Sequence, residues 1–308
     1  MKKIILLVVL IVLLVLSACG KETSNESEQS DKVDSKREET IIYESENGPI
    51  EVPKDPQRVI VLSSFAGNVM ALDVNLVGVD AWSKLNPRFE EGLKDVEQVS
   101  DEDLEKIIEL EPDLIIGLSN TKNMDKLSEI APTVLFTYGK VDYLTQHIEI
   151  GKLLNKEKEA TEWVQDFQNR AVAAGEDIRS RLGEELTVSV IEGYDKQIYV
   201  YGDNWGRGTE ILYQEMKLKM PDKVRETALE AGYHAISPEV LPEFIGDYVV
   251  VSSFSDQENA YLETETYQSI PAVKNGNVIE VNANEFYFND PLTLELQLET
   301  FIKAFQEN

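Results

Sequence analysis

The chain reads as an α/β protein of two lobes joined by a long helical segment. Three observations carry this. Short apolar runs alternate with helical patterns over residues 55–142. Over 143–182 the alternation stops, replaced by a stretch rich in Glu, Lys, Gln and Ala. Over 183–308 the alternation returns. Strands alternating with helices build a parallel sheet covered on both faces.

The N-terminus carries an address rather than a fold. Lys2 and Lys3 precede the apolar run Ile4–Leu16, followed by Leu16-Ser17-Ala18-Cys19-Gly20. That run is too short to span a bilayer comfortably as a mature helix and suits the core of a signal peptide. The single cysteine, Cys19, directly follows the small residues of the cleavage region. This resembles a bacterial lipobox, in which residues 1–18 are removed and the cysteine is diacylated, with palmitate as a typical chain. The expectation is a lipoprotein on the extracytoplasmic face of the cell membrane. Gly20 to Thr40 has no large apolar residue except Val33. Such a segment cannot bury enough surface to offset its ordering entropy. It is expected to be a flexible tether, with a lead-in to residue 54.

Within the first lobe, Arg58–Leu62 reads as a buried strand that turns through small residues into a helix at Asn68–Asp73. Leu76–Val79 is the next strand. Ser100 with Asp103 forms a capping-box pattern opening a helix to about Leu110. Asp113–Leu118 and Val134–Phe136 are further buried strands. The connector 143–182 is interrupted only by Gly151 and Gly175. In the second lobe Leu186–Ile191, Gln197–Tyr201, Tyr248–Ser252 and Val278–Val281 read as strands. Thr209–Met216 and Pro291–Gln306 read as helices. A faint repeat links the halves: Glu105 lies eight residues before Asp113, and Glu239 eight before Asp247. A serine follows each aspartate by six, Ser119 and Ser253.

Charge and composition exclude several functions. With 29 Lys+Arg against 57 Asp+Glu the net charge is −28, which repels nucleic acid; loss of Lys2 and Lys3 on cleavage takes it to about −30. One cysteine excludes a disulfide framework and a Cys-based zinc site. His147 and His234, the only histidines, leave little for a metal site or a His-based triad and read as surface residues. There is no GxSxG, P-loop or HExxH. Carboxylates are abundant, but nothing singles out a glycosidase pair.

Unusual chemistry concentrates in Gln197–Thr209, QIYVYGDNWGRGT. Strand alternation puts Ile198 and Val200 on one face and Tyr199 and Tyr201 on the other. Trp205 and Arg207 follow in a glycine-flanked loop, and loops at the carboxyl ends of such strands are where α/β folds bind ligands. Aromatics offer rigid contact area, and Arg donates several hydrogen bonds in one plane. As a loop residue, Arg207 is expected to be replaceable by Ala with little effect on folding. The bland alternative is half-buried sheet tyrosines and an Arg207 paired with an acid.

This stretch resembles the C-terminal-lobe signature of ferrichrome-type hydroxamate-siderophore-binding lipoproteins of ABC transporters. Arg58–Leu62, Leu104–Ile107 with Glu111–Ile115, and Phe286-Tyr287-Phe288-Asn289-Asp290-Pro291 match as well, so the resemblance covers residues 55–305. It implies two Rossmann-like lobes joined by a long helix, the class III periplasmic-binding-protein arrangement, with ligand in a shallow cleft between them. It further implies that Tyr199, Trp205 and Arg207 contact the ferric hydroxamate, with Tyr287 also placed there. Trp82, and with it Phe65, Asn120 and Tyr138, lie near strand ends that would form the facing wall. Glu105 and Glu239 would each dock on one subunit of a permease dimer. The protein would be a monomeric binding protein, not an enzyme, with no cofactor and no direct bond to the iron.

Rival ligands are weighed by charge and ligation. A ferric tris-catecholate is strongly anionic and asks for several basic residues, whereas only Arg207 stands out. Haem asks for an axial His or Tyr, for which Tyr199 or Tyr201 would serve. Cobalamin stays open, and bare Zn²⁺ or Mn²⁺ wants clustered His and carboxylates. Outside this class the rival is a secreted hydrolase.

Overall fold

Thr40–Ser45 (β1) and Gly48–Pro53 (β2) form an antiparallel hairpin whose inward positions drop Tyr43 and Val52 into the first core. The sequence expectation had placed this segment in the tether and lead-in; its few apolar residues, spaced by two, suffice to pin a short hairpin on a lobe. The computed structural model describes residues 39–307 apart from Asp195, Lys196, Asp256 and Glu258. The signal segment 1–18, the lipobox Cys19 and most of the tether lie outside the described residues.

The apolar runs of the first lobe become β3 (Val59–Val61), β4 (Leu76–Val79), β5 (Glu97–Gln98), β6 (Leu114–Leu118) and β7 (Thr133–Phe136). They form one parallel sheet in the order β5-β4-β3-β6-β7. The second lobe holds β8 (Val188–Tyr194), β9 (Gln197–Tyr201), β10 (Tyr233–Ile236), β11 (Tyr248–Ser253) and β12 (Val278–Asn282). Their order is β10-β9-β8-β11-β12, and β9 alone runs against its neighbours. This sheet is therefore mixed rather than wholly parallel. With only two residues of sequence between them, β8 and β9 can only run antiparallel.

The two sheets share one strand order, and the repeated aspartates show why the sequence repeats. Asp113 precedes β6 and accepts from the backbone N–H of Gln57 (2.6 Å) and Arg58 (3.0 Å), just before β3. Asp247 precedes β11 and accepts from Thr187 N and Oγ1, both at 2.8 Å, just before β8. Each aspartate satisfies donors at the mouth of the central strand pair, where water would otherwise compete.

The connector is two helices, Tyr143–Leu153 and Glu157–Leu182, not one. The break falls at Asn155, whose φ of +55° is left-handed, and neither Gly151 nor Gly175 interrupts a helix. Those glycines serve close approach instead: a Cβ on Gly175 would lie 2.4 Å from the Met216 backbone. The longer helix meets the first core at Ala160 and the second at Val164, Phe167, Ala171 and Ile178. The final helix, Pro291–Glu307, is capped by Asp290, which accepts from Leu292 N (3.0 Å), Thr293 N (3.2 Å) and Thr293 Oγ1 (2.7 Å). Burial raises the Asp290 carboxyl to about 6.

Three local expectations are corrected. Asp103 does reach back to Ser100 N and Oγ (both 2.8 Å), but the helix begins only at Leu104, so half of a capping box is made. Glu210–Glu215 is a π-helical turn rather than an α-helix. His147 is buried, at 2 % exposure, bonded to Asn68 Nδ2 (3.3 Å) and edge-on to Trp163. Burial lowers its imidazole to about 4. His234 is exposed, on β10.

Candidate ligand-binding site

The QIYVYGDNWGRGT stretch is held by backbone conformations that its glycines permit. Gly206 (φ +71°), Arg207 (φ +59°) and Gly208 (φ +81°) are all left-handed. A Cβ on Gly206 would lie 2.3 Å from the carbonyl oxygen of Tyr287, and one on Gly208 would lie 2.5 Å from the Phe301 ring. Arg207 N donates to Phe286 O (2.7 Å), so the loop is bonded backbone to backbone to the FYFNDP stretch. The fully buried Glu210 braces both, accepting from Gly206 N (3.0 Å) and Asn289 Nδ2 (3.1 Å). Burial raises the Glu210 carboxyl above its ordinary pKa.

This junction sets which aromatic of FYFNDP faces the cavity. Phe286 is buried in the second core and Phe288 in the first, where it stacks on Phe89. Tyr287, between them, faces a cavity of 300 Å³ that Trp82, Tyr199, Trp205 and Arg207 also line. Thus all five residues assigned to the ligand from sequence meet at one place. The rest of the lining is Glu192, Tyr194, Tyr201, Tyr233 and Phe254.

Across the cavity runs a four-layer stack. Trp82 lies on Tyr287 at 5.0 Å and 10° between planes. The Arg207 guanidinium carbon sits 4.4 Å from the Tyr287 centroid and 4.8 Å from that of Tyr201. Trp82 comes from the first lobe, on the short helix Ala81–Leu85. That helix is capped by Asp80, which accepts from Trp82 N (2.9 Å) and Ser83 N (3.1 Å). Trp205 meets Tyr138 of the first lobe edge-on at 5.7 Å and Tyr233 of β10 at 5.3 Å.

Arg207 is no surface-loop residue: it is 6 % exposed. Its Nε and Nη2 donate to Glu192 on β8 (3.1 and 2.8 Å), and Nη1 donates to Trp205 O (3.1 Å). Glu192 also accepts from Tyr201 Oη (2.9 Å) and Ser252 Oγ (2.7 Å). Burial alone would lower the guanidinium pKa, but the Glu192 carboxylate outweighs it and holds Arg207 above its usual value. The expectation that Arg207→Ala spares folding is therefore withdrawn. Sequence reasoning missed Glu192 because an acid inside an apolar strand pattern has no local mark of its partner, fifteen residues on.

Beyond the Tyr138–Trp205 contact lies a second cavity of 520 Å³, lined in part by Asp142, Asp203, Glu210, Lys140 and Lys217. Phe65 and Tyr138 line it; Phe65 is mainly core, edge-on to Phe136. Asn120 is exposed and lines neither cavity. The aromatic, arginine-bearing cavity is the better candidate site, because apolar walls with a few placed donors are what small-molecule sites use. Glu105 and Glu239 line neither cavity: both are exposed, in the first turns of the helical segments leading to β6 and β11. A hydrogen bond from Ser237 lowers the Glu239 carboxyl.

The periplasmic binding protein family model matches residues 61–285. The iron(3+)-hydroxamate-binding protein FhuD of Bacillus subtilis is 35 % identical over 92 % of this chain and 91 % of its own. The iron(3+)-hydroxamate-binding protein YxeB of the same organism is 32 % identical over 100 % of this chain and 99 % of its own. Among solved structures, FhuD2 from Staphylococcus aureus with bound ferrioxamine B superposes with a TM-score of 0.78. It is 32 % identical, covering 82 % of this chain and 99 % of that one.

Proposed function

This chain belongs to the periplasmic binding protein family, and from that premise we propose that it captures ferric hydroxamate siderophores outside the cytoplasm and hands them to an ABC permease. The observation that carries the reading is the aromatic cavity with Arg207 clamped inside it. Two relatives named for ferric hydroxamate binding support it. In this reading the tryptophans and tyrosines lie on the apolar ligand frame, and the Arg207 N–H groups not given to Glu192 or Trp205 donate to hydroxamate oxygens. The iron arrives already chelated, so it is cargo and needs no ligand from the protein. A 300 Å³ cavity suits the iron–hydroxamate core and leaves the ligand periphery in solvent.

The remaining roles belong to the same proposal. Cys19 carries the lipid anchor that keeps the protein at the membrane, and the chain acts as a monomer without catalysis or cofactor. Glu105 and Glu239, one per lobe at equivalent places in the fold, dock on the two subunits of a permease dimer. A fluorescence titration with ferrichrome, ferrioxamine, a ferric tris-catecholate and haem tests the ligand assignment. Saturable quenching by the hydroxamates at the lowest concentrations is expected; tightest binding of haem or the catecholate would overturn it.

A further inference from the structure

Among the described residues, the cavity holds one cation and one anion, and every other lining residue is aromatic. The two charges are paired: Glu192 meets Arg207 through both carboxylate oxygens, at side-chain exposures of 2 % and 8 %. Glu192 is also fully occupied by the Tyr201 and Ser252 hydroxyls, so it has no lone pair left to turn toward a ligand. Arg207 differs. Its bonds to Glu192 and Trp205 leave one N–H on each Nη unspent. The site thus offers directed donors without net charge.

We propose that Glu192 is a specificity-determining residue, which cancels the charge of Arg207 so that the site accepts neutral iron complexes and disfavours anionic ones. This rests on the ferric hydroxamate reading above. Three hydroxamates balance the charge of Fe³⁺ and give a neutral complex, whereas three catecholates leave a net −3. An unpaired, desolvated arginine would attract the second strongly, since Coulomb energies grow as water is excluded. A paired one leaves an anion to lose its hydration with nothing to compensate it. Glu192 therefore does more than hold Arg207 in place.

The test compares affinities for ferrichrome and for a ferric hexadentate tris-catecholate at fixed pH and ionic strength. Relative to wild type, Glu192→Gln should raise the catecholate-to-ferrichrome affinity ratio about tenfold, the size expected of one uncancelled charge near the ligand. Glu192→Asp, which keeps the charge, should leave the ratio near that of wild type. If Glu192→Gln does not fold, Tyr194→Lys places a cation on the cavity wall at an exposed position and should raise the same ratio. A ratio unchanged in the folded charge-altering variant, with both affinities falling together, would reduce Glu192 to a structural support and overturn the inference. Failure of wild type to bind ferrichrome would overturn the function reading itself, and the inference with it.

Discussion

Replacing Arg207 with Ala strips the cation from Glu192, a residue 1 % exposed in the intact protein and otherwise bonded through its carboxylate to the Tyr201 and Ser252 hydroxyls. Removing one partner of a buried ion pair costs about 3–5 kcal/mol, because the survivor stays desolvated and uncompensated. The two flanking rings at 4.4 and 4.8 Å lose their cation too, so the upper half of that range is expected. At about 2–4 °C per kcal/mol for a domain of this size class, the melting temperature should drop by roughly 8–20 °C. One control separates the pair from simple loss of bulk. Arg207→Met with Glu192→Leu should regain much of the stability without regaining ligand affinity, since apolar replacement of a buried pair is often neutral or better. Urea and thermal unfolding followed by near-UV circular dichroism measure both. A loss under about 1 kcal/mol in Arg207→Ala, or a double variant no more stable than the single, would refute the reasoning.

Iron-loaded hydroxamates should quench Trp205 emission, so Trp205→Phe, with Trp82 and Trp163 in place, should lose a disproportionate share of the quenching in a fluorescence titration. Abolition by Trp82→Phe instead would move the site to the first lobe. Glu105→Ala with Glu239→Ala should bind siderophore normally in solution yet support little uptake when it is a cell's only copy; normal uptake at wild-type expression would reduce both to charges that merely favour a helix N-terminus. Two buried groups set opposing pH slopes. His147, held to about 4 against about 6.5 when unfolded, makes the unfolded chain bind more protons, so stability should rise with pH across 4–6.5. Asp290, raised to about 6, keeps its proton in the native state and makes stability fall as pH rises from about 4 to 6. His147→Asn should flatten the net rise in urea midpoints and Asp290→Asn should steepen it; unchanged slopes would place the titration elsewhere.

The strands were legible because buried parallel strands are continuous apolar runs, and Val59–Val61, Leu114–Leu118 and Tyr248–Ser253 are such runs. Edge elements were not. Glu97–Gln98 is two exposed acidic and amide residues with no strand pattern, and Tyr233–Ile236 is exposed at three of four positions. Among the cavity residues, Trp205 and Arg207 showed through as rare types in glycine-held backbone, which is a local property. Their partners did not, because Glu192, Tyr233 and Phe254 reach the cavity by sheet pairing and loop return, which are long-range. His147 differs for a related reason: its burial involves long-range partners, Asn68 bonded to the ring and Trp163 edge-on to it, which the helix pattern alone does not reveal.

The two lobes share a strand order, yet they build the site by different means. In the first, β4 and β7 run parallel to the rest, and the residues just past their carboxyl ends supply Trp82 and Tyr138, as open α/β sheets generally place ligand contacts. In the second, the reversed β9 puts Tyr199 beside Glu192 in register and sends the following loop out toward the amino half of β8. That loop must fold back over the sheet face, and three successive left-handed residues let it do so, returning Arg207 to Glu192. Restoring β9 to parallel would remove both the tyrosine face and the return. The shared part of the architecture, the helical segments that lead to β6 and β11, is where Glu105 and Glu239 sit in matched positions. The proposed ligand site thus depends on where the halves differ, and the proposed docking faces on where they agree.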